Sequence, residues 1–124
     1  SPNKVPSCIY TTPQIASIGL AEHTAKELGI DYKVGKFSVG NLGKGLIDED
    51  LEGFVKIIFD SKYGEILGCH ILSNSASELI SEITLAMESE STVHELINTI
   101  HPHPTISEAI NEAALDSLGK SIHK

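Results

Sequence analysis

Two strand-like runs, residues 53–59 and 65–72, flank Asp60-Ser61-Lys62-Tyr63-Gly64, which has the composition of a tight hairpin. Runs joined so closely pair antiparallel, and every other element has to fit around that pair. Upstream, residues 5–10 and 14–20 read as short β segments on either side of the turn Thr11-Thr12-Pro13. Residues 31–39 alternate well enough for a further strand, with Tyr32, Val34, Phe37 and Val39 as its larger apolar side chains. Between them, residues 21–28 read as a short helix stopped by Gly29 just past its end.

Beyond residue 75 the period of the apolar residues changes. Ala76, Leu79, Ile80, Ile83, Ala86 and Met87 recur at helical spacing over 75–88. Val93, Leu96 and Ile97 do so over 92–98, and Ile106, Ile110, Ala113 and Ala114 over 106–118. Strands first and helices afterwards predict an α+β domain, with an antiparallel sheet of about five strands and helices packed on one face.

A chain of 124 residues suffices for one domain with a useful core. Aromatic residues make up 5% and Trp is absent, so Ile, Leu, Val and Ala have to build that core. The net charge of −8 argues against nucleic acid, whose phosphates call for clustered Lys and Arg, and equally against a basic membrane-surface helix. There is no apolar run of about 18 residues to span a bilayer and no signal peptide, so a soluble, cytoplasmic protein without a membrane partner is expected. The opening Ser1-Pro2-Asn3-Lys4, a loop without an initiator Met, suggests an excised piece or a processed product. Cys8 and Cys69 lie far apart and form no CxxC pair, so each is expected to be a small buried thiol.

The segment His101-Pro102-His103-Pro104-Thr105-Ile106-Ser107-Glu108 carries the most chemistry. Pro104 fixes its own φ and biases His103 away from helical geometry, so the imidazole is presented from an extended corner. A helix starting at Thr105 would place Glu108 in its first turn, within reach of the ring of His103. A carboxylate on one ring nitrogen fixes the tautomer and leaves the other nitrogen to accept a proton, the material of a general acid/base pair. The same residues also fit the capping box S/T-x-x-E/Q, as do Ser75-Ala76-Ser77-Glu78 and Thr92-Val93-His94-Glu95. On spacing alone, a plain cap is the simpler reading.

Other constellations are weaker. His101 and His103, two apart in an extended segment, could chelate a metal, but further ligands from His94, His70 or a carboxylate have no spacing to support them, and no metal site is assigned. His23, His70, His94 and His123 read as surface or ordinary strand and helix residues. Gly40-Asn41-Leu42-Gly43-Lys44-Gly45 lacks a phosphate-binding pattern and reads as a connector. The acidic run Asp48-Glu49-Asp50-Leu51-Glu52 reads as a solvated loop.

Four stretches taken in order shift this balance. Val5-Pro6-Ser7-Cys8-Ile9-Tyr10-Thr11-Thr12-Pro13-Gln14-Ile15-Ala16-Ser17-Ile18-Gly19-Leu20 comes first, followed by Gly53-Phe54-Val55-Lys56 through Gly68-Cys69-His70-Ile71-Leu72. Ala76-Ser77-Glu78-Leu79-Ile80 and His103-Pro104-Thr105-Ile106-Ser107-Glu108 complete the series. Together they closely resemble the C-terminal interface domain of the pyridine nucleotide-disulfide oxidoreductases, over nearly the whole chain. Within that family the doubled histidine of His101-Pro102-His103-Pro104-Thr105 and the closing Gly119-Lys120-Ser121-Ile122-His123 look most like the branch that oxidises dihydrolipoamide. Two positions depart from the family pattern. Ala21 replaces the usual Thr or Ser before the first helix, a weaker cap by about 1 kcal/mol, and Asn74-Ser75 replaces a more glycine-rich helix entry.

The resemblance implies a homodimer in which His103 reaches the partner subunit's active site, beside FAD and a redox disulfide, and exchanges the thiol proton while Glu108 orients its ring. It implies a cis bond at His103-Pro104 and places the backbone at His103 and Pro104 close to the flavin. NAD as electron acceptor, dihydrolipoamide carried on a lipoyl domain, and the subunit-binding domain of an acyltransferase in a 2-oxo acid dehydrogenase complex are the further partners it implies. This sequence has no GxGxxG and no close cysteine pair, so the FAD- and NAD-binding domains are expected to be absent from residues 1–124 and the fragment inactive alone, with no cofactor bound to it. Two alternatives stay open: an interface domain of a glutathione or mercuric reductase-like enzyme, and a purely structural dimerisation module.

Overall fold

The computed structural model describes residues 4–120. The expected hairpin is its centre: β4 (Phe54–Asp60) and β5 (Ile66–Ser73) pair antiparallel, with Val55 opposite Ile71 and Ile57 opposite Cys69. Asp60 closes the turn, its carboxylate accepting from the backbone N–H groups of Lys62 (2.9 Å), Tyr63 (3.1 Å) and Glu65 (2.9 Å). The other strands add outward on both sides. β1 (Ser7–Ile9) and β2 (Gln14–Gly19) join the β5 edge and β3 (Tyr32–Ser38) joins β4, giving a five-stranded antiparallel sheet in the order β1-β2-β5-β4-β3.

Register sets one face of this sheet as the core. Ala16, Ile18, Phe37, Val55, Ile57, Phe59, Cys69 and Ile71 are all buried, and α3 (Ala76–Glu88) and α5 (Glu108–Ser117) pack over β2, β5, β3 and β4. The helical stripes are the expected ones, since Leu79, Ile80, Ile83, Met87, Ile110, Ala113 and Ala114 all face inward. α4 (Val93–Asn98) bridges the two and starts in a complete capping box. The Thr92 hydroxyl accepts from the His94 N–H (3.3 Å), and the Glu95 carboxylate accepts from the Thr92 N–H (2.7 Å). α1 (Glu22–Glu27) ends before Gly29, whose φ of 71° is the left-handed conformation that a helix stop requires. Glu22 ties α1 to the opposite face of the sheet through Lys56 (2.7 Å) and the Tyr32 hydroxyl (3.1 Å).

Four local expectations give way. The connector at 40–45 contains a 3-10 turn, Val39–Asn41, and a short α2 (Gly43–Ile47). Two glycines of low helix propensity hide this helix, and Gly45 is there for space, since a Cβ would lie 2.0 Å from the Val39 carbonyl oxygen. The acidic run is not wholly solvated. Asp50 is buried and accepts from the Ser73 hydroxyl (2.6 Å) and the Asn74 N–H (3.2 Å), so it pins the connection from β5 to α3. No capping box forms at Ser75, whose backbone is not extended; Gln14 on β2 accepts from the Ser77 N–H instead (3.0 Å). α5 begins at Glu108 rather than Thr105, because residues 104–107 are held in turns. Ser1-Pro2-Asn3 and the closing Ser121-Ile122-His123 lie outside the described residues, and with them the readings placed there.

α5 sits so close to β3 that the contact requires glycine. A Cβ at Gly35 would lie 1.8 Å from the Ala113 carbonyl oxygen. Gly35→Ala is therefore expected to lower stability by about 1–3 kcal/mol, read as a lower urea midpoint at unchanged slope. A midpoint equal to the parent's would show that α5 does not rest on β3 in this way.

Candidate active site

The corner between α4 and α5 is anchored at both ends. The Asn111 side chain donates to the Leu96 (3.2 Å) and Ile97 (2.9 Å) carbonyls, tying α5 to the last turn of α4, while Ile106 and Ile110 are buried below. Pro102, His103 and Pro104 between them are exposed. The side chain of His103 is 75% exposed, and its bond to Pro104 is cis, as the resemblance implied.

Glu108 meets that ring. The Nδ1–H of His103 donates to Glu108 Oε1 at 2.8 Å, and the Thr105 N–H donates to Glu108 Oε2 at 2.9 Å. The two sequence readings of Glu108 are thus not exclusive, because each carboxylate oxygen serves one of them. The Thr105 hydroxyl does not complete the box; it donates to the Pro102 carbonyl at 2.6 Å and lies 2.8 Å from the Ser107 hydroxyl. With Glu108 only 18% exposed and its second oxygen occupied by backbone, the carboxylate is held in one orientation. A ring fixed through Nδ1 presents Nε2 as the atom that can take or give a proton.

His101 points the other way. Its side chain is 6% exposed, and its Nε2–H donates to Glu82 Oε2 on α3 at 2.7 Å. The bond to Glu82 holds the imidazole of His101 above the usual histidine range, against the opposing effect of burial. The two imidazoles that could have chelated a metal are therefore directed at different carboxylates, and among the described residues no three His, Cys, Asp or Glu side chains gather at a metal-binding distance. Glu82 is the site residue that sequence reasoning missed. It lies on the polar side of α3, nineteen positions from His101, and no local spacing signals such a pair.

The remaining candidates fall elsewhere. Cys69 is fully buried and burial pushes its thiol far up, while Cys8 is half-buried, and both are free thiols. A cleft opens on the far face of the sheet, beside Lys56, Phe54 and His70. Its polar wall is the Glu22–Lys56 ion pair that holds α1 down, and burial, followed by the charges of Lys56 and His23, keeps His70 below the usual histidine range. It contains no pair comparable to His103 and Glu108. No described helix is long and apolar enough to cross a membrane.

A five-stranded antiparallel sheet backed by α3 and α5, with a histidine–carboxylate pair on an exposed corner, defines an α+β domain of the disulfide reductase type. Residues 5–114 match the family model described as "Pyridine nucleotide-disulphide oxidoreductase, dimerisation domain", and the chain belongs to that family as this domain. It is 48% identical over 120 residues to a dihydrolipoyl dehydrogenase of Rhizobium etli, covering 97% of this chain and 25% of that protein. It is also 48% identical over 122 residues to a dihydrolipoyl dehydrogenase of Bacillus subtilis, covering 98% and 26%. The chain thus spans about a quarter of the length of these curated relatives. Among solved structures it resembles LpdA from Mycobacterium tuberculosis, with a TM-score of 0.89 at 28% identity over 94% of this chain and 25% of that one. It also resembles the HOCl-induced flavoprotein disulfide reductase RclA from Escherichia coli in its Cu(II) complex, with a TM-score of 0.87 at 29% identity over 95% and 26%.

The His101–Glu82 pair has a pH signature. Because the folded-state pKa of His101 is raised, the stability it contributes is complete below the unfolded histidine value of about 6.5 and is lost as pH rises through the raised folded value. The stability gap between the parent and His101→Gln should therefore be widest near pH 6 and narrow at higher pH. Urea titrations across that range measure it, and a gap that stayed constant with pH would contradict the pairing.

Proposed function

We propose that this chain is the C-terminal dimerisation domain of a dihydrolipoamide dehydrogenase and that it supplies His103 and Glu108 to the active site of a second subunit. The observation that carries the reading is the 2.8 Å bond from an exposed imidazole to a largely shielded carboxylate in a domain whose family is named for dimerisation. An acid/base group presented to solvent, with no reacting partner among its own neighbours, suits a pocket that another polypeptide completes. The names of the curated relatives support the substrate class.

In this reading Nε2 of His103 takes the proton of a dihydrolipoamide thiol as that sulfur attacks a redox disulfide, and returns it in the reverse direction. The thiolate is the nucleophile, so a base at the thiol governs the exchange. Glu108 holds the ring and stabilises the imidazolium that forms. FAD and NAD, bound by domains outside residues 1–124, would carry the electrons, and the exposed backbone at His103 and Pro104 suits an approach to the flavin. In this reading the redox disulfide, like the electron carriers, lies outside residues 1–124, and the domain alone is expected to be inactive. The working enzyme is a cytoplasmic homodimer that accepts dihydrolipoamide on a lipoyl domain and docks the subunit-binding domain of an acyltransferase. Kinship with another disulfide reductase is the second reading, supported by the likeness to RclA, though at 29% identity against 48% for the dihydrolipoyl dehydrogenases.

In the full-length enzyme carrying this domain, His103→Gln should lower dihydrolipoamide turnover by about 100-fold or more while FAD stays bound. Turnover close to the parent's would reject the acid/base role. Glu108→Gln keeps an acceptor for the ring but removes the charge, so the expected loss is smaller and accompanied by a shifted pH profile of kcat. A profile superimposable on the parent's would contradict the orienting role.

A further inference from the structure

A continuous line of bonds runs from the core helix α3 to the exposed imidazole. Glu82 on α3 holds the ring of His101 at 2.7 Å, and His101 is followed directly by Pro102. The Pro102 carbonyl accepts the Thr105 hydroxyl at 2.6 Å, the Thr105 N–H reaches Glu108 at 2.9 Å, and the other oxygen of Glu108 takes His103 at 2.8 Å. His101, Thr105 and Glu108 in this line are partly shielded from water, whereas Pro102 and the ring of His103 are exposed. A pair with one member 6% exposed costs desolvation that a surface loop does not need for its own sake, so its presence calls for a reason beyond packing.

We propose that His101, clamped by Glu82, is a positioning residue for the His103–Glu108 pair, fixing where the corner stands relative to α3 and placing a second imidazole behind the acid/base carboxylate. The inference rests on the function proposed above and goes beyond it, since it assigns roles to two residues that touch no substrate. His101 Nδ1 is buried, and the nearest group to serve it is the Thr99 backbone, which favours the charged ring without completing a well-formed hydrogen bond. The ring borders a small cleft whose other walls include Glu108 and Glu112 of α5. The charged groups around His101 are therefore Glu82 from α3 and these two carboxylates from α5, while Glu95 of α4 is engaged at its own helix start. A protonated His101 stabilises negative charge on Glu108 from behind, in competition with the proton on His103.

Two consequences separate positioning from packing. Loosening the corner lowers kcat, because misplacing the base by a fraction of an ångström affects the transition state, and leaves KM for dihydrolipoamide nearly unchanged. Removing the imidazole of His101 also removes a positive charge from behind Glu108, so the acidic limb of the kcat profile moves to higher pH.

The test uses the full-length dimeric enzyme with His101→Gln, Glu82→Gln and His103→Gln, each checked for FAD content and dimerisation. His101→Gln and Glu82→Gln should each lower kcat roughly tenfold with KM within about twofold, and His101→Gln should shift the acidic limb upward. Glu82→Gln keeps the shape of the side chain and an acceptor oxygen, so it decides the matter should His101→Gln fail to assemble. Parent-like kcat in these two variants, or a lowered kcat with an unmoved pH profile in His101→Gln, would overturn the inference. If His103→Gln itself turned over like the parent, the failure would be that of the acid/base reading. If His103→Gln were inactive while the other two matched the parent, the positioning role alone would fall.

Discussion

The two oxygens of Glu108 are divided between a backbone N–H and an imidazole, and the rest of the corner depends on that division. One oxygen closes the turn before α5 and so belongs to the fold; the other holds His103 and so belongs to the site. A carboxylate committed in both directions cannot rotate without breaking a helix start. Its position is inherited in turn from α5, which rests on β3 at Gly35 and is tied to the same strand by the Lys36 N–H donating to Asp116 (2.9 Å). The geometry of the His103–Glu108 pair is thus set by how closely a helix lies on a sheet.

The two histidines of one short segment have been given opposite environments. His101 is turned inward to a carboxylate on α3 and shielded, while His103 is turned outward with its free nitrogen toward solvent. Pro residues on either side of His103 make that alternation stiff. A domain built this way presents an imidazole to solvent, which suits the proposal that a second copy provides the substrate pocket. Membership of a family described by its dimerisation domain is consistent with that division of labour.

Periodicity made the sheet and the helical stripes legible because both depend on burial of one face, and all six residues of the stripe read for α3, Ala76, Leu79, Ile80, Ile83, Ala86 and Met87, are buried in the fold. The His103–Glu108 pair was legible for a different reason: its members are five positions apart, and Pro104 limits how the chain can run between them. What stayed hidden depended on distance or on competition. Glu82 reaches His101 only after α3 and the corner pack together. Asp50 resembles its solvated neighbours until Ser73 meets it. Ser75 has the sequence of a cap, but Gln14 from β2 supplies the bond. α2 forms despite two glycines because Gly45 must lie against Val39.

The central claim is that His103 works in a site completed by another subunit, and a hybrid dimer tests it most directly. One full-length subunit carries His103→Gln with its redox disulfide intact, and the other keeps His103 but has that disulfide removed. Neither homodimer should turn over dihydrolipoamide. If His103 acts across the interface, the purified hybrid regains one working site per dimer, whereas a hybrid as inactive as its parents would show that the imidazole serves its own chain and would contradict the account.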